Sequence, residues 1–220
     1  MSAAPYDSCN VGDHVGDDPA AVARNREIAA ETRALPPAAE WGWMQQVHWR
    51  DVVVLDGPTG DGTPVADALV TRTRGLPLAV VTADCAPIAL ASDDAIAVVH
   101  AGHRGLLAGV IEAALDALRA VGRGPVRALL GPCVRASRYE FRAADLAPLV
   151  DVFGPHVEAR TEWGTTAFDL PAAVKIALTR GGVDARDIAD SGECTSASMQ
   201  FFSYRRDGVT GRQATIAVLP

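Results

Sequence analysis

His48, Cys85 and His100 each stand at the end of an apolar run or beside one, in "MQQVH", "VVTADC" and "AIAVVH". Two imidazoles and one thiolate suit zinc, and three protein ligands leave a fourth position for water, as catalytic sites require. Ligands this far apart in sequence are unlike a structural knuckle, which clusters its cysteines in short pairs. The same trio can work without a metal, with Cys85 as nucleophile and a histidine as its base, attacking a carbonyl or an amidine. Three unrelated buried residues would give the same pattern, because cysteine is among the most often buried residue types. Residue type and spacing leave all three readings open.

The neighbours of the trio add chemistry. Asp84 precedes Cys85, where a carboxylate can orient a metal-bound histidine or simply cap the turn. In "VVHAGHRG", His103 and Arg104 follow His100. His103 is a candidate to line a pocket. Arg104 precedes a helix whose first amides, with the guanidinium, can hold a phosphate or other anion; a surface ion pair explains it equally well. Arg205 and Arg206 in "YRRDG" are weaker anion candidates, because a turn exposes such residues anyway. His14, in a Gly/Asp-rich loop, and His156, beside Pro155, rank lower.

These residues need elements to carry them. A helix is expected from about Pro19 to Ala34, with proline in its first turn and Asp17 and Asp18 at its positive end. Strands are expected at "DVVVLD", "LPLAVVTADC", "APIALAS", "AIAVVH" and "VRALLG". One helix is expected over Gly105 to Val121, and two more at "AADLAPLVDVFG" and "LPAAVKIALTRGG". The tail "MQFFSYRRDGVTGRQATIAVLP" reads as a hairpin turning at "RRDGVTG". Strands and helices mix throughout with no linker or repeat, giving a single α/β or α+β domain over residues 1–220.

Composition narrows the function. A net charge of -7 argues against a broad nucleic-acid surface, which needs excess Lys and Arg, while a few local arginines can still hold a small anion. The start "MSAAPYDSCN" lacks the basic and apolar regions of a secretory signal, and no apolar run reaches membrane-span length. The expectation is a soluble cytoplasmic protein, with a monomer assumed. Cys9, Cys85, Cys133 and Cys194 form no CxxC pair, so neither a disulfide framework nor a zinc finger is expected.

The chain resembles the multicopper polyphenol oxidase (laccase) domain family, also called the YfiH family and now regarded as purine nucleoside phosphorylases. The likeness is carried by "NVGDHVGDDPAAVARNR", "MQQVHWRDVVVL", "TADCAPIAL", "VVHAGHRG", "GPCVRASRYEF", "FDL" and "CTSASMQFFSYRRDGVTGRQATIAVL". The blocks run in family order from about residue 10 to 219. The resemblance implies a layered sandwich similar to the catalytic domain of cytotoxic necrotizing factor. It also implies a zinc site at His48, Cys85 and His100, which would also be the catalytic residues.

The implied activities are phosphorolysis of adenosine, inosine and methylthioadenosine, and deamination of adenosine, with purine nucleosides and phosphate as partners. Asp84, His103 and Arg104 are the substrate or phosphate candidates. One zinc per chain is expected and copper is not, because 5 histidines are too few for a laccase-type multicopper centre. The alternatives are a cysteine-nucleophile hydrolase using Cys85 and a histidine, a copper-dependent polyphenol oxidase, and a zinc-stabilised interaction module without activity. The sequence departs from the family pattern at Trp49, commonly glycine, at His103, commonly tryptophan, and at "RASR", Arg135 to Arg138. Each could alter the pocket wall.

Overall fold

The stretch "IAVVHA" is apolar at nearly every position because it runs through the middle of the molecule with a layer against each face. The computed structural model, which describes residues 1–220, makes it β5 (Ile96–Ala101), buried along its whole length. Antiparallel neighbours flank it, β4 (Ala86–Ala91) on one side and β2 (Ala68–Thr71) on the other. β1 (Val52–Leu55) lies parallel beyond β2. β6 (Arg127–Leu130) and β9 (Ile188–Asp190) extend the sheet past β4, giving the order β1-β2-β5-β4-β6-β9.

Alternation along the strands assigns each side chain to a layer. Ala97 and Val99 join the larger core, with Ile111, Leu115 and Leu118 of α3 (Val110–Val121) and Val174 and Leu178 of α5 (Leu170–Arg180). Ile96 and Val98 join the smaller core, with Leu78 and Val80 of β3 (Leu78–Thr82). Each such leucine or isoleucine, fully buried, contributes about 1.5–3 kcal/mol. β3 pairs antiparallel with β10 (Gln213–Ala217), and this ribbon forms the layer opposite the helices. α4 (Ala143–Phe153) and the β7 (Glu158–Arg160) and β8 (Thr166–Phe168) hairpin complete the helical side. α1 (Pro19–Thr32) is capped by Asp18, which accepts from the Ala20 amide at 3.0 Å. The result is one α+β domain, as expected, and no helix is long and apolar enough to cross a membrane.

Two expectations need correction. The single helix from Gly105 to Val121 is two: α2 (His103–Ala108) and α3, broken at Gly109, whose φ of 86° is left-handed. Glycine alone takes that conformation without steric cost, so one residue ends α2 and starts α3. The tail is also no hairpin. "YRRD" forms the short helix α6 (Tyr204–Asp207), capped by Ser203. The Gln213 side chain accepts from the Phe202 amide (2.9 Å) and donates to its carbonyl (3.3 Å), supplying what a partner strand would. β2, β9 and the β7–β8 hairpin were not foreseen; each strand is three or four residues long, too short for a periodic signal.

Candidate metal centre and its pocket

The chain changes layers at "TADC". β3 belongs to the ribbon and β4 to the main sheet, so Cys85 sits in the sharp connection between them. Asp84 takes a φ of 110° there, a positive value that residues with a side chain rarely adopt. His100 shares the parity of Ile96 and Val98 on β5 and therefore faces the ribbon side, toward that connection. His48 comes from the loop before β1. The side chain of Gln46 docks this loop on β3, donating to the Val81 carbonyl at 2.8 Å and accepting from its amide at 2.9 Å. The three elements bring the ligand atoms of His48, Cys85 and His100 within 4.8 Å of one another.

Gly102 keeps the space beside them open. A β-carbon there would lie 3.0 Å from Cys85 Sγ and 3.1 Å from His48 Nδ1.

One carboxylate organises the cluster, and sequence reasoning missed it. Asp67, fully buried, meets His100 Nδ1 at 2.8 Å through Oδ1. It also accepts from the backbone amides of Val47 (3.2 Å), His48 (2.9 Å) and Trp49 (2.7 Å). Successive amides wrapped around an anion form a nest, and the left-handed φ of 61° at His48 is what aims them. Burial alone would raise the Asp67 carboxyl, but the hydrogen bonds from His100 and the Trp49 amide outweigh it and hold it below the ordinary carboxylate value. With Nδ1 committed to Asp67, His100 presents Nε2 to the cluster. Burial opposes charge on both His100 and Cys85. Their mutual attraction outweighs it, raising the imidazole and lowering the thiol, so the two titrate as a pair.

The trio opens into a cavity of about 400 Å³ that is also lined by His103, Arg104, Tyr139, Arg205 and Arg212. His103 packs edge-on against Phe141 at 5.3 Å, and burial lowers its pKa. Arg205 stacks over Tyr139 at 4.8 Å. Asp84 lines the cavity too, but its oxygens are occupied: Oδ1 accepts from Thr195 (2.6 Å) and Ser203 (2.7 Å), Oδ2 from the Arg205 amide (2.6 Å). It braces the α6 segment against the Cys85 connection; the carboxylate bonded to the histidine is Asp67.

Other expectations are sorted by the same geometry. Arg206 lies outside this cavity, donating to the carbonyls of Thr195, Ser198 and Phe201. Arg138 pairs with Glu162 at 2.8 Å in a separate depression. Trp49 is 55% exposed and contributes its backbone amide to Asp67. His14, ranked low on sequence, reaches the cavity, and so does Arg212, which no motif singled out.

Residues 1–220 match the family described as "Multi-copper polyphenol oxidoreductase laccase". The chain belongs to that family. Within it, a purine nucleoside phosphorylase of Streptomyces coelicolor is 47% identical over 219 residues, covering 97% of this chain and 89% of its own. The YfiH protein of Bacillus licheniformis superposes with a TM-score of 0.91 at 26% identity, over 100% of this chain and 89% of its own. A Neisseria meningitidis protein of family DUF152 gives 0.85 at 34% identity, over 100% and 90%.

The laccase-family match corrects the expectation about the metal. Copper was set aside because the histidines are too few, but that count bears only on a multinuclear centre. A single site of two imidazoles and one thiolate is a donor set that copper takes readily. With the whole chain matching a multi-copper family and one His/Cys/His cluster at hand, copper or a mixture of metals fits.

Proposed function

We propose that the protein cleaves purine nucleosides by phosphorolysis, and deaminates adenosine, in the cavity beside His48, Cys85 and His100. One observation carries this reading: a convergent metal-ligand trio and three guanidiniums outside any ion pair share one cavity of about 400 Å³. The size suits a nucleoside and a small anion. The names of the relatives point the same way.

The three donors fit a transition ion. They converge, Gly102 leaves room beside them, and Asp67 fixes the tautomer of His100. When bound, such an ion would supply a Lewis-acidic position for a polar substrate atom. The remaining work belongs to the chain. In phosphorolysis the bond from C1′ to the base nitrogen breaks, the electron pair leaves with the base, and a phosphate oxygen bonds to C1′. Positive character grows on the ribose, so the anion must be held close to it. Arg104, in the first turn of α2, and Arg205 supply positive charge at the cavity, and the protein's net charge of -7 makes that concentration local. Arg205 keeps its place because its amide is bonded to Asp84 and its guanidinium rests on Tyr139. Deamination exchanges the C6 amino group for a water oxygen and releases ammonia.

The laccase description favours a second reading, copper-dependent oxidation of phenols in the same cavity. A chromatographic assay with adenosine, inosine, methylthioadenosine and a phenol, with and without phosphate, separates the two. Purine release that tracks phosphate supports phosphorolysis; phenol oxidation that tracks copper content supports the second. A covalent Cys85 adduct formed with substrate would instead mark a cysteine hydrolase. Cys85→Ala is expected to abolish both the bound transition metal and nucleoside turnover.

A further inference from the structure

Arg212, in "TGRQATIAV" just ahead of β10, is a half-buried cation whose side chain bonds only backbone carbonyls and pairs with no carboxylate. Arg104 and Arg205 are exposed, and an exposed arginine needs no partner. Arg212 differs. Nη1 donates to the carbonyls of Thr210 (3.1 Å) and Gly211 (2.9 Å), and no carboxylate is in ion-pair contact. Asp84, its acidic neighbour across the cavity, is already occupied by Thr195, Ser203 and the Arg205 amide. Burial works against the charge of Arg212 and outweighs the attraction of Cys85, Asp84 and Tyr204, none of which it hydrogen-bonds, so an anion in the cavity would meet a cation that no acidic side chain contacts.

The N-terminal loop is fitted around this side chain. The Arg212 amide donates to Asn10 Oδ1 at 2.8 Å, and the Val11 amide donates to the Arg212 carbonyl at 3.0 Å. A β-carbon at Gly12 would lie 2.6 Å from Arg212 Cγ, so only glycine lets the loop pass over the stem. Thr82 lines the same cavity, and its buried hydroxyl has no protein partner.

We propose that Arg212 anchors a subsite for a tetrahedral phosphoryl oxyanion in this cavity, and that Asn10 and Gly12 are its positioning residues. The anion is free phosphate or the phosphoryl group of a nucleotide. The first source rests on the phosphorolysis reading; the second does not.

The test is calorimetric titration of the metal-loaded protein with inorganic phosphate in one arm and adenosine monophosphate in the other. At least one should bind. Arg212→Gln should weaken that binding by about tenfold or more, and by more than Arg104→Gln does, with metal content unchanged. Gly12→Ala should weaken it as well, with the guanidinium still present. If Arg212→Gln does not fold, Arg212→Lys and Gly12→Ala decide the matter. Undiminished binding in the folded variants, a larger loss in Arg104→Gln, or no binding of either anion to the parent protein overturns the proposal. Binding of the nucleotide alone upholds the subsite and counts against phosphorolysis.

Discussion

Replacing one oxygen of Asp67 tests how the cluster is held. Its carboxylate accepts hydrogen bonds from His100 Nδ1 and from three backbone amides at once, entirely out of water. Asp67→Asn keeps the shape but brings an N–H toward donors and removes the charge. We expect it to destabilise the metal-free protein by about 3 kcal/mol in urea unfolding. Its metal affinity, measured by competition with a chelator, should fall about 10- to 100-fold. The pH dependence of metal binding follows from the same pair. Ligation needs Cys85 as thiolate and His100 neutral, whereas the attraction between thiolate and imidazolium that lowers Cys85 also raises His100. A proton must therefore leave the pair as metal binds, so affinity should rise with pH from the mildly acidic range upward. His48, Cys85 and His100 were legible in the sequence because each follows or adjoins an apolar run. Asp67 was not: it lies 19 residues from His48 and 33 from His100, and nothing near it in "VADALV" hints at either.

At the scale of elements, β9 shows how a short strand is tied in. Asp190 at its end pairs with Arg135 and with Lys175 of α5, joining sheet, connection and helix. The Arg135 hydrogen bond, with help from Lys175, holds its carboxyl well below the ordinary value in spite of partial burial. A depressed carboxylate stabilises the fold above its unfolded pKa, about 3.9 for an ordinary aspartate, and that stability is lost as pH falls below it toward the folded value. Asp190→Asn should therefore cost about 1–3 kcal/mol at neutral pH and little in strong acid, which flattens the acid limb of a stability profile. The long buried strands β3, β4 and β5 announced themselves by continuous β-branched and apolar residues. The break at Gly109 did not, because "GLLAGVIEAALDALRAV" keeps its helical spacing through the glycine. The hairpin expectation failed at "MQFFS" because a side chain, Gln213, takes the place of a strand at Phe202.

At the scale of the molecule, an acidic chain concentrates Arg104, Arg205 and Arg212 around one cavity that also holds the His48, Cys85 and His100 cluster. The layers make that possible: β5 carries His100, the crossing from ribbon to sheet carries Cys85, and the tail leading into β10 carries Arg212. Family blocks made the trio readable, whereas Arg212 depends on how the N-terminal loop and the tail meet, which no short motif encodes. The central claim is that phosphate is a reactant in this cavity. The most direct measurement incubates the purified, metal-loaded protein with adenosine and separates adenine from inosine by chromatography, with and without added phosphate. The account predicts adenine only when phosphate is present, accompanied by one ribose 1-phosphate for each adenine, with turnover lost in His48→Ala, Cys85→Ala and His100→Ala. Adenine released at the same rate without phosphate, or no nucleoside turnover by folded, metal-loaded protein, would contradict it.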